Sequence, residues 1–249
     1  MSMMSRDWSS SIALVTGASR GIGRELAIQF AELGATVWAC ARTVTQIPKH
    51  RNIVARACDV RDEAAVGELV RAIDTAHGRV DVLVNNASIL GPTGPLETLD
   101  VAGFQDTMRV NVEGTFIISK SCIPLLRAGE AAVILNLSSS VGRKPRAEWG
   151  AYCVSKFGVE ALSGILAQEL REDGIVSVSV NPGGTATDMR AQAYPEEDPT
   201  TLPTAESVAE TLVLLADRLT LDQSGAMYSS RSLFEHVRSD TPAHHLPRD

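Results

Sequence analysis

Tyr152 and Lys156 stand four residues apart, with Ser139 thirteen residues upstream. On a helix that spacing puts the first two side chains on one face, one turn apart. A phenol is normally a poor acid, with a pKa of about 10. An ammonium beside it favours phenolate, so a lowered tyrosine pKa is expected. Bringing it down by roughly two or three, at about 1.4 kcal/mol per pH unit, moves Tyr152 toward working pH. A serine hydroxyl from a separate segment then holds a substrate oxygen against the phenol. Taken alone, Tyr-x3-Lys also arises on solvated helix faces, so the rest of the chain decides.

The elements that would position this pair begin at the N-terminus. Residues 11–16 form a short apolar run of strand length. They lead into Gly17-Ala18-Ser19-Arg20-Gly21-Ile22-Gly23 and a helical pattern over residues 24–33 that stops at Gly34. Strand, glycine-rich turn and helix start make the first unit of a dinucleotide-binding fold. The glycines let the backbone turn tightly against a pyrophosphate, whose charge the helix N-terminus offsets. The spacing is Gly-x3-Gly-x-Gly, which departs from the generic Gly-x-Gly-x-x-Gly fingerprint. At the end of the second strand a carboxylate usually binds the ribose of NAD, whereas a basic residue accommodates the 2′-phosphate of NADP. Here Ala41 takes that place, Arg42 follows it, and Arg20 lies inside the loop. Two arginines and no carboxylate favour NADP(H), with NAD(H) as the alternative and Arg42 as a plain surface cation the bland reading.

Strand and helix signals then alternate. Strands are expected over residues 35–40, 53–58, 80–84, 132–137, 175–180 and 226–229, and helices over 61–77, 100–126, 149–172 and 204–218. The 100–126 run should be interrupted before Asn111. This order predicts an α/β fold: a doubly wound, mostly parallel sheet of about seven strands with helices on both faces. The expectation is a single domain with its core near residues 10–230 and a polar tail over 231–249. Ligands of such sheets bind at the carboxyl ends of strands, where every motif named here falls.

The combination of Thr16 to Gly23, Asn85-Asn86-Ala87-Ser88, Asn111, Ser139, Tyr152-x3-Lys156 and Asn181 to Met189 resembles the short-chain dehydrogenase/reductase family, in order over residues 10–228. The resemblance implies a Rossmann fold with Asn111, Ser139, Tyr152 and Lys156 as the catalytic set. Family spacing picks Ser139 from the run Ser138-Ser139-Ser140. Implied cofactor contacts are Gly17, Ser19, Arg20, Gly21, Ile22 and Gly23 in the loop, with Arg42, Asp59, Val60, Asn86, Ala87 and Ser88. Lys156 is implied on the nicotinamide ribose, and Tyr152 beside it. Pro182, Gly183, Thr185 and Thr187 are implied near the carboxamide. Asn111 is implied to kink its helix and hold a water near the lysine. Asp59 alternatively caps the helix near Arg61. Ser88 replaces the family's usual glycine and reads as a tolerated departure. Only sixteen residues separate Arg42 from Asp59, Pro48 among them, so the family's second helix shrinks to a turn or two, or vanishes.

Composition limits the alternatives. The chain has 249 residues, 44% apolar and 21% charged, with formal net charge −7. Negative charge gives no electrostatic reason for nucleic-acid binding. No apolar run approaches the ~20 residues of a membrane helix. The first ten residues lack an apolar stretch, so no secretory signal is expected. Four cysteines without metal-ligand spacing suggest a reducing cytoplasm, and no metal site is expected. The partner is expected to be a small carbonyl or alcohol, and the chain a homo-oligomer, either a tetramer or a dimer through helices near 111–126 and 149–172. Candidate substrate positions are residues 90–93, Ser140, Trp149, Gly184, Met189 and Tyr194, with 189–202 as a lid. Arg143, Lys144 and Arg146 form a basic patch, read first as a solvated loop. The favoured function is hydride transfer between NADP(H) and a carbonyl or secondary alcohol. An NAD-dependent alcohol dehydrogenase and a silent NADP-binding regulator are the rivals.

Overall fold

A computed structural model describes residues 6–233. Seven aliphatic runs form strands: β1 (Ile12–Thr16), β2 (Thr36–Ala41), β3 (Ile53–Ala57), β4 (Val82–Asn85), β5 (Val133–Leu137), β6 (Val176–Asn181) and β7 (Met227–Ser229). β1, β4 and β5 are buried along their whole length, as strands covered on both faces must be, whereas β3 at the sheet edge is partly exposed. The order is β3-β2-β1-β4-β5-β6-β7, and every neighbouring pair is parallel. From β1 the chain winds outward through β2 and β3, then returns to β4 on the other side. Such a reversal opens a crevice at the strands' carboxyl ends.

Side chains alternate across each strand and so feed two cores. Ala13 and Val15 of β1 join Leu26 and Phe30 of α1 (Gly21–Glu32) and Leu212 and Leu215 of α7 (Ala205–Arg218). Ile12 and Leu14 join the opposite face. There they meet Val66, Leu69 and Ile73 of α2 (Glu63–His77), Ile118 and Leu126 of α4 (Gly114–Arg127) and Leu166 of α5 (Gly150–Glu169). Phe30 is fully buried, and truncating such a residue to alanine costs about 3–5 kcal/mol. α3 (Val101–Met108) packs against α5, and α6 (Asp188–Ala193) lies over the crevice. No helix among the described residues is long and apolar enough to cross a membrane.

Several boundaries differ from the sequence reading for local reasons. α1 begins at Gly21, inside the glycine loop. α2 begins at Glu63, because the Asp62 carboxylate accepts the Ala64 and Ala65 N–H groups and becomes the cap. Asp59 therefore does not cap that helix. The run before Asn111 is not broken: α3 passes into α4 through a π turn, Arg109–Glu113, that absorbs an extra residue around Asn111. α5 ends at Glu169, shorter than the expected 149–172. The shortened β2–β3 connection holds one 3₁₀ turn, Val44–Gln46, anchored by buried Ile47. Of the polar tail, residues 234–249 lie outside the described residues.

Candidate active site

The glycine loop is locked to the turn after β4. Gly17 has φ +66°, and a Cβ there would lie 2.8 Å from Ala87 Cα. Thr16 Oγ1 accepts the N–H groups of Asn86 and Ala87, both at 3.0 Å, and Asn86 Nδ2 donates to Thr16 O at 2.8 Å. A Cβ on Gly23 would strike Asn86 Nδ2 at 2.2 Å. Two strand ends thus approach more closely than any side chain allows. Arg20, the residue before α1, makes no side-chain cap bond, and Gly21 and Ile22 line the crevice. That leaves first-turn N–H groups and the helix dipole for an anion.

At the outer end of the crevice Ala41 presents no carboxylate, and Arg42 and Arg20 are exposed at its wall. Arg20 reaches Asp188 across the opening at 3.7 Å. Asp59 also lines this end, held by a fork from Arg61 (Nη2 to Oδ2, 2.6 Å), and that bond holds its carboxyl below the usual range. Arg61 bonds Asp106 as well, so it ties the β3 turn to α3. Sequence reasoning missed Arg61.

Tyr152 and Lys156 both project from α5 onto the inner end of the crevice. Lys156 is 3% exposed; its Nζ donates to Leu137 O at 2.7 Å and lies 5.4 Å from the centre of the Tyr152 ring. Burial pushes the lysine down to about 8, with Glu160 one turn on partly opposing it. Tyr152 is 9% exposed, and burial pushes its phenol up to about 12, against the pull of the Ser88 and Ser139 hydroxyls. This corrects the expectation of a phenol made acidic by its neighbouring ammonium. The same dry wall penalises both charged forms, and at Tyr152 desolvation outweighs the pull of the two serine hydroxyls.

Ser139 caps the 3₁₀ turn Ser140–Gly142, its Oγ accepting Val141 N–H at 3.4 Å. A Cβ on Gly142 would lie 2.9 Å from Lys156 Cβ, so the serine loop sits directly on α5. Asn111 sits behind the site. Its Oδ1 accepts Ile89 N–H, and its Nδ2 donates to Ile89 O and to Ser155 Oγ, each at 2.9 Å.

The crevice holds about 1110 Å³ out to its open mouth. It brings together Gly17, Ser19, Arg20, Gly21, Ile22, Arg42, Asp59, Val60, Asn86, Ala87, Ser88, Tyr152, Lys156, Pro182, Thr187 and Met189. Gly23, Gly183 and Thr185 do not line it; the buried Thr185 hydroxyl bonds the Pro182 and Gly183 carbonyls and shapes the loop.

On the substrate side, Leu90, Val141, Tyr152 and Cys153 form a small apolar cluster flanked by Trp149 and Met189. Tyr194 packs on Trp149 at 5.6 Å, Arg190 lies 3.8 Å over the Tyr194 ring, and Glu197 bonds Arg190 at 2.7 Å. Arg146 donates to the Tyr194 hydroxyl and stacks 5.2 Å over Trp149. Ser140 is exposed, and Gly184 packs against Leu202 and Arg190. The basic patch therefore divides. Arg143 turns inward to Glu160 (3.0 Å) and Tyr228 O (3.0 Å), Arg146 bonds Tyr194, and Lys144 is exposed.

The family model for short chain dehydrogenases matches residues 11–198. This chain belongs to the short-chain dehydrogenase/reductase family. It is an oxidoreductase of that type, similar to the oxidoreductase YciK of Escherichia coli K12 (38% identity over 209 residues, covering 79% of this chain and 82% of YciK). It is also similar to an NADPH-dependent pterin aldehyde reductase of Arabidopsis thaliana (31% identity, covering 73% of this chain and 77% of the relative). Among solved structures, a short chain dehydrogenase from Escherichia coli CFT073 complexed with NADPH superposes with TM-score 0.82 at 35% identity, over 89% of this chain and 96% of that one.

Proposed function

We propose that the protein is an NADPH-dependent carbonyl reductase with Tyr152 as proton donor, its cofactor and substrate sites carried on one domain. The observation that carries this is that Tyr152 and buried Lys156 line the inner end of the glycine-loop crevice together, with the Ser139 hydroxyl in reach of the Tyr152 phenol. The cofactor assignment is supported by the Gly17 cradle, by Arg20 and Arg42 in place of a carboxylate, and by Ser138 Oγ, which lines the crevice buried and unpartnered. The NADPH-bound relative from Escherichia coli and the NADPH-dependent one from Arabidopsis point the same way. NADPH, when bound, supplies the hydride.

The chain's own residues manage the oxygen. Ser139 holds the carbonyl oxygen against the phenol, and Tyr152 gives it a proton as negative charge develops there. Lys156, still largely protonated at neutral pH with a pKa of about 8, balances the phenolate left behind. A phenol at about 12 is protonated throughout the physiological range, which favours reduction over oxidation. Trp149, Met189 and the braced Tyr194 form the substrate wall and exclude water. Phe116, Val154, Phe157 and Ile165 are exposed on α4 and α5, and we read these helices as a self-association face.

Fluorescence titration with NADPH and NADH, followed by a panel of aldehydes and ketones at the nicotinamide absorbance, tests the reading. Tighter NADPH binding with turnover of at least one carbonyl is the expected result. Preference for NADH, or binding with no turnover across the panel, contradicts it.

A further inference from the structure

The end of β4 and the turn after it carry three polar side chains, Asn85, Asn86 and Ser88, and the fold uses two. Asn85 Nδ2 bonds Ser119 Oγ and Asn136 Oδ1, both at 2.9 Å, and Asn86 Nδ2 closes onto the glycine loop. Ser88 is different. Its hydroxyl is out of contact with solvent, meets no partner at full hydrogen-bond geometry, and stands in the crevice wall with Tyr152. It is nevertheless near enough to the phenol to favour the phenolate form, as Ser139 also is. A buried hydroxyl without a partner is costly, about 1–3 kcal/mol, unless something else requires it.

Its position is fixed from behind. The Asn111 amide grips both the N–H and the carbonyl of Ile89, the next residue, and also bonds Ser155 Oγ, which donates to Tyr152 O at 2.7 Å. One side chain thus sets the spacing between the backbones that carry Ser88 and Tyr152. Lys156 is the charged group beside the phenol, with Glu160 beyond it.

We propose that Ser88 is a further catalytic residue of the reaction assigned above: its hydroxyl donates a hydrogen bond to the Tyr152 oxygen as that oxygen gives its proton to the substrate. Ser88 keeps its own proton throughout; the transferred proton goes from Tyr152 to the substrate oxygen, and the new hydrogen bond tightens on the phenolate left behind. Ser139 and Ser88 then divide the work, the first on the substrate oxygen and the second on the phenolate. The inference rests on the carbonyl-reductase reading.

The test compares wild type with Ser88→Ala, Ser88→Gly and Ser88→Thr. Hydrogen bonds to charged groups are worth about 1.5–3 kcal/mol, so Ser88→Ala and Ser88→Gly should lower kcat about 10- to 100-fold. KM and NADPH affinity should stay within about twofold, since the bond strengthens only in the transition state. Ser88→Thr should restore most of kcat. Wild-type kcat in Ser88→Ala overturns the proposal, as does a loss confined to NADPH affinity. A second readout does not depend on turnover: the phenolate absorbance of Tyr152 at a fixed alkaline pH, isolated by subtracting Tyr152→Phe. It should fall in Ser88→Ala, and no change overturns the proposal. Should wild type reduce no carbonyl, the reductase reading fails while this absorbance still judges the Ser88–Tyr152 contact.

Discussion

Lys156 Nζ lies 5.4 Å from the centre of the Tyr152 ring and donates to Leu137 O at 2.7 Å, so this ammonium is tied to the end of β5. The lysine is a conditional charge. It is fully present below a pKa of about 8 and fades above it, while the phenol at about 12 stays protonated. Reductive kcat should therefore be flat on the acid side of about 8 and fall as pH rises through it. A kcat–pH profile for carbonyl reduction checks this; a rise across that range contradicts it.

The same burial separates stability from function. Lowering the lysine from 10.5 to about 8 corresponds to about 3 kcal/mol at neutral pH, partly offset by the bond to Leu137. The folded state holds this proton less tightly than the unfolded chain, so wild-type stability should rise with pH between those two values. Lys156→Met should raise stability at pH 7 by about 1–3 kcal/mol and reduce turnover at least about 100-fold. The stability gain should vanish above the unfolded lysine value. Denaturant unfolding at two pH values measures it.

Arg42 follows Ala41, which stands where a carboxylate would select NAD. Arg42→Ala should weaken NADPH about tenfold or more while leaving NADH within about twofold, since a charge-assisted bond to phosphate is worth about 1.5–3 kcal/mol. Parallel fluorescence titrations read the ratio.

Gly142 tests the seat of α5. The added methyl of Gly142→Ala would meet Lys156 Cβ at 2.9 Å. Overpacking of this kind costs about 1–3 kcal/mol, so both thermal midpoint and kcat should fall, with NADPH affinity less affected. Calorimetry and steady-state kinetics on the one variant separate the two effects.

Much of this was legible because it rests on local rules. Glycines at 17, 21 and 23 are read from backbone demands, and close approach to Asn86 and Ala87 bears that out at Gly17 and Gly23. Alternating strand and helix signals gave the parallel sheet, and Pro48 in a short connection foretold the missing helix. What stayed hidden depends on burial and on distant partners. The π turn at Asn111 looks like a break because periodicity slips by one residue there. Arg143 reads as surface charge until Glu160 and Tyr228 are brought to it by α5 and β7. Ser88 reads as a substitution in a turn, since nothing local says that the Tyr152 phenol stands beside it. The phenol's pKa likewise turns on desolvation, which spacing along a helix does not report.

Tyr152→Phe is the most direct test of the account, because it removes one oxygen and little volume. General acid catalysis is worth about 10²–10⁴-fold, so turnover of the best carbonyl substrate should fall by that factor, with NADPH affinity within about twofold of wild type. A variant that keeps turnover within a few-fold of wild type would show that the proton comes from somewhere else.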